Sequence, residues 1–156
     1  MMIKIFRPVA AEFGVSSPYG QRTHPITGEL GKMHYGIDLK TPIGTPVVAS
    51  VTGKIILAGW EDPDDHGKGY GLRIWQKDDE RDLFVVYAHL SEIFVNQGDS
   101  VIAGTRISLS GDSGAVQIHP DGRRAAHLHH EVRVGGIAGV KGSDFTYTEV
   151  ASKGVV

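Results

Sequence analysis

Not one cysteine occurs in the 156 residues, which removes disulfides, thiolate zinc sites and thiol nucleophiles from consideration. A thiol-free chain works in either redox compartment, so the absence leaves that point open. Nor does charge of one sign dominate. Sixteen basic and 18 acidic residues leave a formal net charge of −2, which provides no basic footprint for nucleic acid and no polybasic membrane patch. No run approaches the roughly 20 apolar residues of a membrane span. The segment Met1–Phe13 lacks the apolar centre of a signal peptide. The acidic stretch Glu61–His66 has no EF-hand spacing, and Lys77–Asp82 reads as a charged hairpin loop.

Glycine is abundant instead. Twenty-one glycines with seven prolines imply many turns and therefore many short strands. Runs rich in β-branched residues lie at 47–51, 54–57, 72–75, 83–88, 101–109 and 128–134, each bounded by Gly, Pro, Asp or Ser. Helix is expected nowhere except for at most a single turn at Ser91–Asn96. Length argues for one domain, and the pattern for an all-β fold of antiparallel sheets, a sandwich or collapsed barrel. The tail 143–156 carries little pattern and is expected to be partly mobile.

Histidine carries the chemistry. His127 and His129 are two apart in a strand-like segment, so they share a face about 6.7 Å apart at ~3.3 Å per residue. Glu131 and Arg133 continue that face, while Leu128, His130, Val132 and Val134 point to the core side. At such a separation the two histidines do not easily bind one zinc at ~2.1 Å each without a local bend. A division of labour, one as ligand and one beside it, suits the spacing better. His34 and Asp38 are four apart, but Gly36 and the following Lys40-Thr41-Pro42 argue against helix. In a straight strand they would stand ~13 Å apart, so a bend at Gly36 is required to bring them to one ion. His89 ends an apolar strand, and His66 and His119 read as loop residues. Gly111-Asp112-Ser113-Gly114 is similar to the nucleophile loop of trypsin-like proteases. The order of serine and histidine is reversed and the chain is too short for two barrels, so the segment is read as a turn. No His-Glu-x-x-His occurs, which excludes a zincin-type site.

His34-x-x-x-Asp38, then Tyr87-Ala88-His89-Leu90, then His127-Leu128-His129 with Glu131-Val132-Arg133 resembles the M23 family of zinc metallopeptidases, the lysostaphin- and LytM-like enzymes that cut peptides of bacterial cell wall. The likeness runs over roughly residues 14–134 and includes Gly20–Pro25, Gly36-Ile37-Asp38, Gly44–Val47 and Gly98–Val101. It implies a LytM-like antiparallel sheet core with long loops forming a groove. It implies one Zn2+ held by His34, Asp38 and His129, with His89 and His127 catalytic and Arg22 and His24 toward the substrate. His127 is then expected to orient or deprotonate the attacking water. His89 is expected to stabilise the oxyanion or protonate the leaving amine, and the two roles are interchangeable at this point. The implied partner is peptidoglycan peptide, cut in a stem or a cross-bridge. A non-catalytic wall-binding or virion module on the same fold is the alternative.

Two departures stand out. Ala125-Ala126 precedes the last motif where relatives carry Gly-Pro, after an inserted-looking stretch Ile118–Arg124. His130 replaces an aromatic core residue and so requires a polar partner. The absence of an export signal leads to the expectation of a phage or prophage lysin, although a piece of a longer protein would read the same way.

Overall fold

The computed structural model describes residues 3–23, 28, 30–135 and 145–148. Thirteen strands and no helix occur among them: β1 (Ile3–Phe6), β2 (Val15–Ser17), β3 (Gly20–Thr23), β4 (Leu30–His34), β5 (Ile37–Leu39), β6 (Pro46–Val48), β7 (Gly53–Trp60), β8 (Leu72–Asp78), β9 (Leu83–Ile93), β10 (Ser100–Val101), β11 (Arg106–Ser110), β12 (Leu128–Val134) and β13 (Phe145–Thr148). Along β8 the period of two is strict, with Leu72, Ile74, Gln76 and Asp78 buried and their neighbours half-exposed. That alternation places β8 in a sheet with order β10-β7-β8-β9-β12-β5-β2, antiparallel throughout, with β11 pairing both β9 and β6. β3 and β4 form a separate hairpin, and β1 pairs β13 in parallel.

The core lies on one face, where Leu39, Ile55, Ile74, Val85, Tyr87, Leu128 and Val132 meet. Each large aliphatic side chain buried there contributes roughly 1.5–3 kcal/mol. Its polar members are paired. The Tyr87 hydroxyl donates to Gln76 Oε1 and accepts the Ser50 amide, both at 2.8 Å. His130 is fully buried and meets that same network, with Nε2 3.0 Å from Ser50 Oγ and Nδ1 2.6 Å from the Tyr147 hydroxyl. Burial pushes its imidazole down to about 3, so the ring is neutral. The polar partners demanded by the sequence are thus Ser50 and Tyr147.

Two expectations are corrected. Ser91–Ile93 continues β9 rather than opening a helical turn, because Glu92 and Ile93 find strand partners in Leu109 and Ser108 of β11. The run 101–109 is two strands, since β10 joins β7 and β11 joins β6 and β9. Gly104, at φ 92°, makes the turn between them. In the tail, Phe145–Thr148 forms β13, and the Thr148 hydroxyl donates to the Ile5 carbonyl. The remaining tail residues lie outside the described residues. No helix among the described residues is long and apolar enough to cross a membrane.

Candidate metal centre

β12 lies between β9 and β5, with His129 opposite Ala88 on one side and Asp38 on the other. That pairing brings residues 91 positions apart in sequence to one place, His129 Nδ1 being 3.0 Å from Asp38 Oδ1. The chain bends at Tyr35–Gly36 between β4 and β5, which returns His34 to the same point. His34 Nε2 is 3.1 Å from Asp38 Oδ1 and 3.2 Å from His129 Nδ1. Gly36 is needed here for space: a Cβ on it would stand 2.8 Å from Glu131 Cγ, His129 Nε2 and the His130 carbonyl oxygen. All three residues, His34, Asp38 and His129, are buried.

The far nitrogen of each imidazole fixes its tautomer. His34 Nδ1 is 2.8 Å from the Pro18 carbonyl, which only accepts, so the proton sits on Nδ1 and the lone pair on Nε2 faces the cluster. His129 Nε2 is 2.7 Å from Glu131 Oε1, which leaves the Nδ1 lone pair inward. Two imidazole lone pairs and a carboxylate oxygen therefore converge, an arrangement that calls for a cation between them. Their separations approach the roughly 3.4 Å edge of a tetrahedron with ~2.1 Å bonds, so the donor set fits one metal ion with an open fourth position. Burial opposes charge on Asp38, but its contacts with His129 and His34 and the field of His127 outweigh it and hold the carboxyl far below the usual range. Burial likewise opposes charge on His129, while its contacts with Asp38 and Glu131 outweigh burial and favour positive charge beside it. The two shifts express one demand, for positive charge at the centre of the cluster.

His127 lies just before β12, in a bridge opposite Gly111. Its Nε2 comes 3.7 Å from Asp38 Oδ1, and its Nδ1 is 3.1 Å from the Ala125 carbonyl. His89 stands across from it, the ring centroids 4.7 Å apart, with Nδ1 2.6 Å from the Ser113 carbonyl. Carbonyl acceptors again place each proton on Nδ1 and each lone pair on Nε2. Burial, reinforced by repulsion from His127 and His129, pushes His89 down to about 3. Burial lowers His127 as well, though Asp38 partly restores it. Both rings are neutral near pH 7.

His89 is not the plain strand end that its sequence suggested. It sits inside β9 at φ 60°, the one positive-φ non-glycine among the described residues. Leu72 pairs with Leu90 and Ile74 with Tyr87, so β9 carries one extra residue here. This bulge turns the imidazole out of the ladder toward the groove. The Gly111–Gly114 turn secures it: Ser113 Oγ donates to the Leu90 carbonyl at 2.7 Å and accepts the Leu72 amide at 3.1 Å. A backbone carbonyl and a bulge leave no mark in composition or spacing, so Ser113 was missed. Glu131, Tyr70 and Arg133, which back His129 from behind, had no role in the sequence reading beyond the face shared by Glu131 and Arg133.

The four histidines, Asp38, Tyr70 and Glu131 line a groove of about 1020 Å³. Ser16, Ser17, Tyr35, Val116, Gln117 and Ala126 line it as well. The 118–124 stretch is a small hairpin that brings His119 to the groove, closed by pairing of Ile118 with Arg124. Arg22 lies in β3, and His24 lies outside the described residues.

The sequence model of peptidase family M23 matches residues 32–141. The chain belongs to this family. The peptidoglycan DD-endopeptidase ShyA of Vibrio cholerae is 35% identical over 136 residues, spanning 83% of this chain and 27% of that protein. Among solved structures, the catalytic domain of lysostaphin from Staphylococcus simulans superposes with a TM-score of 0.68 at 32% identity, covering 84% of this chain and 89% of that domain. A zinc-containing peptidase from Vibrio cholerae gives 0.67 at 29% identity, covering 86% of this chain and 37% of that one. This M23 chain spans about a quarter of the length of the curated relatives it matches. Its fold is that of the lysostaphin catalytic domain, and its His34–Asp38–His129 cluster is compatible with a metal.

Proposed function

We propose that the chain is a zinc-dependent endopeptidase that hydrolyses peptide bonds in bacterial peptidoglycan. The observation that carries this reading is the convergence of His34 Nε2, His129 Nδ1 and Asp38 Oδ1 within 3.0–3.2 Å of one another on the floor of an open groove. ShyA and lysostaphin, a DD-endopeptidase and an antimicrobial peptidase by name, supply the substrate class. His34, Asp38 and His129 would hold the ion. Zinc bound there supplies Lewis acidity, lowering the pKa of a water to about 7 and polarising the scissile carbonyl.

The protein's own groups handle the proton. His127 is assigned to take it from the attacking water and return it to the leaving amine. An imidazolium formed on His127 has Asp38 Oδ1 3.7 Å away, a partner that lowers the cost of the charge. His89, deeply buried and held as an Nε2 acceptor by Ser113, is a poor carrier of charge. It is assigned to accept a hydrogen bond from the water and aim it. Assistance of this kind contributes typically 10²–10⁴-fold.

Mass spectrometry of fragments released from cell walls of differing cross-bridge chemistry tests the reading. New amino termini at one bond type, absent after chelation, are expected. Binding to walls without any released amine would instead make the chain a wall-binding module.

A further inference from the structure

Beside the ligand cluster, on the same face of β12 as His129, lies a charged group to which the mechanism gives no task. Glu131 is 1% exposed. Its Oε1 accepts His129 Nε2–H at 2.7 Å and also the hydroxyl of Tyr70, while Oε2 accepts Arg133 Nε at 2.8 Å. Arg133 Nη2 donates to the Tyr70 hydroxyl at 3.2 Å, and its guanidinium lies over the Trp75 ring at 4.7 Å. A buried carboxylate is costly unless fully satisfied, and this one receives three donors from three directions. Strand register explains the row: Glu131 pairs with Val86, and Val86 in turn with Trp75, so β12 and β8 project these side chains from the same face. The bend between the other two ligands also rests on this pair, since the space above Gly36 is filled by Glu131 Cγ and His129 Nε2.

We propose that Glu131 is a positioning residue for the metal centre, holding His129 in the Nδ1-inward tautomer and orientation, with Tyr70 and Arg133 locking Glu131 in turn and Trp75 bracing Arg133. The inference rests on the metal reading above and goes beyond it by placing part of the metal affinity outside the ligand set. Imidazole can ligate through either nitrogen, and rotation about its side-chain torsions would present the wrong edge. A fixed acceptor on Nε2–H removes both freedoms and raises the basicity of Nδ1, and loss of such an outer partner costs typically 10–100-fold in metal affinity.

Zinc affinity of the folded, metal-free protein, measured by competition with a chromophoric chelator, separates positioning from mere bracing. Glu131→Ala is expected to bind zinc 10–100-fold more weakly. Glu131→Gln, which retains an acceptor oxygen for His129, is expected to recover most of that loss. Tyr70→Phe keeps the ring and removes one donor from Glu131, so it serves where Glu131→Ala fails to fold. A several-fold weakening is expected for it. Unchanged zinc affinity in the folded variants, with only a lower unfolding midpoint before zinc is added, would overturn the proposal and leave Glu131 a structural brace. Failure of the unaltered protein to bind zinc would instead overturn the metal reading itself, so the two failures are distinguishable.

Discussion

Backbone strain at His89 has a cost that substitution exposes. At φ 60°, any residue with a Cβ pays roughly 1–2 kcal/mol for the left-handed conformation, whereas glycine does not. Glycine's greater freedom favours the unfolded chain by about 0.4–1 kcal/mol relative to alanine. The balance favours His89→Gly over His89→Ala by about 0.5–1 kcal/mol, reversing the usual order within a strand. Both variants lose the hydrogen bond to the Ser113 carbonyl and the same imidazole contacts, so those losses cancel in the comparison. For a chain of this size 1 kcal/mol moves the unfolding midpoint by roughly 2–4 °C, so His89→Gly should melt about 1–4 °C above His89→Ala. Both should lose about 10²–10⁴-fold in wall hydrolysis while binding zinc normally. Thermal unfolding of the two metal-free variants decides it. Equal midpoints, or a more stable alanine variant, would refute the view that the bulge stores strain to aim this side chain.

His130 and Gly36 give the other expectations. Burial holds His130 at about 3 against roughly 6.5 when unfolded. Below that unfolded value the unfolded chain binds a proton that the folded chain refuses, so stability present above it drains away as pH falls toward 3. This group alone costs about 2 kcal/mol by pH 5. His130→Phe should flatten that limb of the stability–pH curve measured by urea unfolding, although it removes the imidazole partner of the Ser50 and Tyr147 hydroxyls and lowers stability at pH 8. An unaltered slope would count against a neutral buried His130. Gly36→Ala places a methyl 2.8 Å from Glu131 Cγ, His129 Nε2 and the His130 carbonyl. Overpacking of this sort costs typically 1–3 kcal/mol, and zinc affinity should fall with it. Wild-type urea midpoint and zinc affinity in this variant would show that the contact is slack.

The sequence disclosed the strands that alternate or run apolar, because burial on one or both faces writes itself into composition. Leu72–Asp78 and Leu128–Val134 are of this kind, and the second also carried the His129 face with it. Pairing partners were less accessible. Ser91–Ile93 became strand because β11 lies beside it, a long-range fact that local propensity does not hold. The bend at Gly36 was expected, yet its reason lay in the third dimension: the glycine is required by His129 and Glu131 pressed against it, which are 95 or fewer positions later in the chain. Ser113 orients His89 with a main-chain oxygen, and any residue type supplies one. Tyr70, in a glycine-rich hairpin entry, reaches Glu131 only after β8, β9 and β12 have assembled.

Titration of metal-free protein with zinc, with metal binding and release of amines from purified cell walls followed together, tests the central assignment most directly. Activity should be absent without metal, rise in proportion to bound zinc and level off at one ion per chain, and His129→Ala should lose both signals. Release of amines from the walls at an undiminished rate by the metal-free protein would contradict the assignment of His34, Asp38 and His129 as the catalytic metal centre.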